Sequence, residues 1–131
     1  GYQGKDMTWN SDFEKAKEEI AEFRMDLDSA TIREFEKYIR ECREKDIQLI
    51  FVSPPEYIEG QLFVENYEEI MDVFRKFSRD FGVPYYDYTK DTMSFSKKYF
   101  YNSTHMNKLG AELFTRKLVT DLKRDKILRP I

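Results

Sequence analysis

One run constrains the fold more than any other. Ile47-Gln48-Leu49-Ile50-Phe51-Val52 is short, mostly apolar and rich in β-branched residues, and Ser53-Pro54-Pro55 ends it. Near-continuous hydrophobicity is the pattern of a strand buried on both faces, as in parallel sheets. Proline cannot donate to a ladder, so the strand stops sharply. A helix, a buried strand and then a loop begin a β-α-β unit. Ligands of open α/β sheets bind beyond the carboxyl ends of the strands. Ser53, Glu56 and Tyr57 therefore stand near any site, or form an ordinary loop.

The rest of the chain supplies helices for such a sheet. Gly1 to Asn10, with Tyr2, Met7 and Trp9, has no clear period and reads as an irregular lead-in. Asn10-Ser11-Asp12 is an N-cap cluster, and Phe13, Ala16, Ile20, Phe23 and Leu27 follow at steps of 3 and 4. That spacing predicts a helix which docks on its own domain or on a partner. A second helix is expected from about Ser29 to Lys45, with the stripe Ile32, Phe35, Ile39 and Cys42. Thr31 and Glu34 have capping-box spacing, and Asp28 is an equally good cap.

Glu56 to Glu65 reads as a loop. Tyr67, Ile70, Met71, Phe74, Phe77 and Phe81 mark a further helix, closed by Gly82 as C-cap and by Pro84. Val83 to Tyr88 is a second strand; following a helix, it should lie parallel to the first. Thr89 to Tyr101 is a long polar and aromatic loop, whose rings line a pocket or cover the sheet edge. A last helix begins near Asn107 and frays after Leu122, leaving 127–131 as an apolar tail to pack on a neighbour. The expected fold is α/β: one domain or domain fragment over 1–131, with lead-in 1–10, helices in 11–46 and β-α-β-loop-α in 47–122.

Composition narrows the function classes. A net charge of −3, with charged residues interleaved in sign, gives no reason to expect a nucleic acid or an anionic membrane as partner. The single cysteine, Cys42, excludes an internal disulfide and a thiolate zinc site; on the apolar stripe it is a small buried hydrophobe. No run approaches the roughly 18 apolar residues of a membrane span. There is no Walker loop, no Gly-x-Gly-x-x-Gly and no paired carboxylates at a recognisable spacing, so no cofactor or metal is expected. The chain opens on Gly1 with no signal peptide, which suggests a processed or cut start.

The chemistry-bearing stretch is Tyr101-Asn102-Ser103-Thr104-His105-Met106-Asn107-Lys108-Leu109-Gly110-Ala111-Glu112-Leu113-Phe114. It holds the only histidine, after a polar turn and just ahead of an amphipathic helix. Neutral imidazole is the side chain best suited to moving a proton near neutral pH. A lone histidine before a helix also fits a plain surface or cap residue. The continuation Asn107, Gly110, Ala111 and Phe114 resembles the last conserved block of the SGNH (GDSL-type) hydrolases, where Asp-x-x-His runs into His-x-Asn-x-x-Gly-Ala. Ile47 to Leu122 is the reach of the resemblance, which implies the C-terminal half of a three-layer fold.

By that resemblance His105 is the general base of a serine relay, and Asn107 and Gly110 support the block. Asn102 stands where the family has aspartate, so it orients the base without supplying charge. In serine proteases the corresponding loss costs about 10⁴-fold in rate. Asp91 or a backbone carbonyl is an alternative orienter. The family's Gly-Asp-Ser nucleophile block and its oxyanion glycine and asparagine have no counterpart before Ile47; Ser11 and Ser29 sit in helix caps. The resemblance therefore implies the C-terminal portion of an ester hydrolase or acyl transferase, inactive alone, for an acylated carbohydrate or small ester. A location in the cell envelope or outside the cell follows if an upstream signal or anchor exists. The alternative is a non-catalytic module that binds a protein or glycan. Two strands alone leave both sheet edges bare, so a strand from Gly1 to Asn10, cover by the helices, a homo-oligomer or a missing N-terminal half is expected.

Overall fold

The computed structural model describes residues 4–21 and 23–128. In chain order it contains α1 (Asp12–Glu19), α2 (Ser29–Glu44), β1 (Phe51–Ser53), α3 (Ile58–Phe63), α4 (Tyr67–Phe81), β2 (Tyr85–Asp87) and α5 (Lys108–Arg124). Two 3₁₀ turns, Thr92–Phe95 and Lys97–Tyr99, lie between β2 and α5. The architecture is mixed α/β. β1 and β2 pair in parallel, Phe51 with Tyr85, Val52 with Tyr86 and Ser53 with Asp87.

Successive strand residues point to opposite faces, and two cores follow. On one face Phe51 packs with Ile39 of α2, Phe77 of α4 and Val83, with Phe35 and Tyr85 alongside. On the other, Tyr88 and Met93 pack with Phe114 of α5, and Tyr86, Tyr99 and Leu118 close around them. α5 lies over β2, while Val52 on β1 remains 37% exposed. Among the described residues each strand pairs only with the other. Residues 4–10 add no strand.

The strands are shorter than their apolar runs. Only Phe51–Ser53 of the first run enters the ladder, which reaches one residue past Val52. Its lower end is set at Pro84, which has no N–H and offers only its carbonyl to Phe51 N–H at 2.8 Å. The upper end closes with Tyr88 N–H on the Ser53 carbonyl at 2.8 Å.

Two helix expectations need correction, and one open alternative is decided. The lead helix stops at Glu19 and does not reach Leu27; Ile20 is already extended (φ −128°, ψ 115°). Tertiary backbone bonds override the periodic stripe: Phe23 bridges to Val64, and the Asn66 amide accepts from Met25 N–H and donates to its carbonyl. Glu22, within the span of the expected helix, lies outside the described residues. Asp28, not the Thr31–Glu34 pair, caps α2, accepting from Ala30 and Thr31 N–H. The expected loop 56–65 contains α3, six residues being too few for its period to stand out. Likewise the expected loop 89–101 is organised by its two 3₁₀ turns. The expectations for Tyr2 and for residues 129–131 of the tail fall outside the described residues.

The start of α5 matches its sequence signal. Asn107 is the N-cap; its Oδ1 accepts from Gly110 N–H at 3.0 Å and its Nδ2 donates to the Lys98 carbonyl at 2.8 Å. Gly110 lets the helix approach the turn before the histidine, because a Cβ there would lie 2.2 Å from the Tyr99 carbonyl oxygen. That neighbour is backbone and cannot swing aside. Gly110→Ala is therefore expected to destabilise the protein by about 1–3 kcal/mol, read as a lowered urea midpoint; an unchanged midpoint would refute the close approach.

Candidate active site

The histidine lies on a five-residue loop closed at its neck. Phe100, fully buried, forms an antiparallel bridge with Met106. Tyr101 N–H donates to the His105 carbonyl at 3.1 Å, and Asn107 N–H donates to the Tyr99 carbonyl at 2.9 Å. The loop is tied beyond the carboxyl end of β1 by Tyr57 N–H, which donates to the Ser103 carbonyl at 2.9 Å. Gly60 on α3 permits that contact; a Cβ there would meet Ser103 Cβ at 2.7 Å. The histidine loop thus stands beyond the carboxyl end of β1, the end at which ligands of open α/β sheets bind.

Within the loop one amide oxygen organises the ring. Asn102 Oδ1 accepts from His105 N–H at 2.9 Å and from Thr104 N–H at 3.2 Å. Those two donors fix the amide with its oxygen inward. The same oxygen lies 2.9 Å from His105 Nδ1, and Thr104 Oγ1 lies 3.0 Å from it. An amide oxygen only accepts, so this contact is a hydrogen bond in the tautomer with the proton on Nδ1 and the lone pair on Nε2. Tyr101 stacks on the imidazole, centroids 5.5 Å apart and planes 15° apart. The side chain is exposed. This arrangement can accept a proton at Nε2 from a hydroxyl brought to it.

Other expected site residues take different places. Asp91 does not orient the histidine: its carboxylate pairs with Lys117 and accepts from Met93 N–H. Ser53 Oγ lies 2.7 Å from Tyr85 Oη. Tyr57 is buried, its ring 5.0 Å from Trp9 and 6.2 Å from Phe100. Cys42 is buried in the α2 stripe. Glu56, just beyond β1, is partly buried, and that burial raises its carboxyl above the ordinary carboxylate range. Nearby, Tyr67 Oη is buried without a hydrogen-bond partner among the described residues, and burial, then the Glu56 charge, push its phenol up. An apolar groove of about 430 Å³ between α2 and α4, lined by Ile32, Phe35, Ile70 and Phe74 among others, does not include His105.

Several residues at the site carried no sequence signal. Asn10 N–H donates to the Tyr101 carbonyl at 2.8 Å, and Lys108 N–H donates to the Lys5 carbonyl at 2.7 Å. The irregular lead-in therefore straps the histidine loop on both flanks. Backbone bonds of this kind leave no mark in residue type. Gly60 was the one available hint, as an isolated glycine where a neighbour approaches. Among the described residues no group of three or more His, Cys, Asp or Glu is placed to hold a metal, and no helix is long and apolar enough to cross a membrane.

Compared with known proteins, the chain matches no family model, no curated protein and no solved structure.

The burial of Glu56 has a pH-dependent consequence. For Glu56 the folded-state pKa is raised, so folding binds the proton more tightly than the unfolded chain does. Its contribution to stability is present below the unfolded pKa and is lost as pH rises through the folded one. Glu56→Gln is expected to gain stability over the unsubstituted protein from acid to neutral pH, seen as urea midpoints that diverge upward.

Proposed function

We propose that this chain is the C-terminal portion of an SGNH-like ester hydrolase or acyl transferase, with His105 as its general base. The reading rests on one observation, the 2.9 Å contact between Asn102 Oδ1 and His105 Nδ1 on an exposed side chain, which leaves Nε2 as the ring's acceptor. A serine hydroxyl presented there would give its proton to Nε2 as its oxygen attacks an ester carbonyl. The imidazolium would later return that proton to the leaving alkoxide. Asn102 orients the ring through both steps, but a neutral amide gives the imidazolium no counter-charge, so the base is weaker than one backed by aspartate. The substrate class we propose is an acylated carbohydrate or a small ester.

The nucleophile and the oxyanion donors are not among these 131 residues in any recognisable block. The chain alone is therefore expected not to turn over p-nitrophenyl acetate. The protein encoded with a serine-bearing strand is expected to hydrolyse it and to lose on the order of 10³-fold or more with His105→Ala. Turnover by the 131-residue chain that His105→Ala abolishes would overturn the first expectation. Loss of no activity from the longer protein would overturn the role of His105.

The bare edges of β1 and β2 favour a further partner, either the missing half of the sheet or another copy of the chain. Light scattering of the isolated chain is expected to report a dimer or larger species; a monomer at all concentrations would count against self-pairing. One observation favours the second reading, a non-catalytic module binding a protein or glycan. Phe95, on the 3₁₀ turn before the histidine loop, is 59% exposed, and Leu62 on α3 is 75% exposed. A longer protein lacking any serine block, together with an inert His105, would favour that module.

A further inference from the structure

We infer that Tyr101 is a positioning residue for His105, held in place by the strap Lys5 to Asn10. The imidazole is exposed, and its side-chain hydrogen-bonding partners, Asn102 and Thr104, both lie on the Nδ1 side. Exposed hydrogen bonds compete with water, so they hold a ring weakly. The Tyr101 ring lies nearly parallel to the imidazole, 5.5 Å away at 15°. It shields one face of the imidazole and resists rotation about the Cβ–Cγ bond, which would carry Nδ1 off the Asn102 oxygen.

Tyr101 is itself anchored. Its carbonyl accepts from Asn10 N–H at 2.8 Å and its N–H donates to the His105 carbonyl at 3.1 Å. Its ring receives the Lys5 ammonium at 5.6 Å. Lys5 is in turn pinned through its carbonyl by Lys108 N–H at the start of α5. The strap grips the loop before and after the histidine, with the tyrosine ring between Lys5 and His105 in this chain of contacts. What Tyr101 contributes is a flat ring: the contacts that link it to Lys5 and to His105 are made by the ring.

The inference concerns the histidine of the proposed function, but its test reads the ring and not an activity, so either can fail without the other. There is one histidine, so the two ring-nitrogen signals of a ¹⁵N-labelled sample need no residue assignment, and their different couplings to the two ring C–H protons tell Nδ1 from Nε2. Recorded above the imidazole titration, the unsubstituted protein and Tyr101→Phe are expected to show the proton on Nδ1. Tyr101→Leu fills the space without a flat face, and its signals are expected to move toward the form with the proton on Nε2, which an unrestrained imidazole favours. Unchanged signals in the folded leucine variant, or loss of the Nδ1-protonated form in the phenylalanine variant, would overturn the assignment. Should the leucine variant not fold, the unsubstituted protein decides. Cross-relaxation between the Tyr101 and His105 ring protons is expected there, and its absence would overturn the inference.

Discussion

Phe51 is the residue on which this small sheet depends. Its ring meets Phe35 of α2 at 5.6 Å, Phe74 of α4 at 6.4 Å and Tyr85 of β2 at 6.2 Å. One buried side chain thus ties both flanking helices to both strands. Burying such a ring is worth about 1.5–3 kcal/mol, comparable with what the ladder hydrogen bonds of two three-residue strands contribute together at roughly 1 kcal/mol each. The sheet is aligned by its hydrogen bonds and held by the aromatic cluster. Because that cluster lies on one face, α5 must cover the other, and Phe114 against Tyr88 does so at 5.2 Å.

The histidine loop inherits its position from this arrangement. α5 is set against the second core through Phe114 and Leu118, and its N-cap Asn107 bonds back to Lys98. β1 continues into Tyr57, whose N–H holds Ser103. The loop is therefore clamped between the end of one strand and the start of the last helix. Inside it, geometry and charge separate. The Asn102 oxygen provides the orientation an aspartate would provide, through the same two backbone N–H groups. It lacks the negative charge that makes an imidazolium favourable. An orienter without a counter-charge is a coherent structural element and a weak electrostatic one.

The sequence was informative wherever the controlling interaction was local. Asn107 and Gly110 announced the start of α5, and Gly82 (φ 63°) announced the end of α4. The α4 stripe and the parallel order of the two strands were legible from period and connection. The Asn102–His105 pairing was suggested only by the family resemblance, and the structure places the two side chains 2.9 Å apart. Expectations failed where a distant segment intervened. The stripe through Phe23 and Leu27 has helical spacing, yet Asn66 and Val64, some 40 residues on, capture that backbone as extended chain. Asp91 was a reasonable candidate for the imidazole by composition alone, and Lys117 on α5 takes it instead.

Alone, the chain of residues determined the class of fold, the ends of its longest helices and the place of the single histidine ahead of the last of them, because each rests on side-chain type and short-range spacing. Only the tertiary structure decided which face of the sheet α5 covers, how far the ladder runs, and that Lys5 to Asn10 straps the histidine loop. Those outcomes turn on backbone N–H and carbonyl groups that every residue carries alike. Their pairing is selected by what the packed cores bring within reach, and the order of side chains does not encode it in any local pattern.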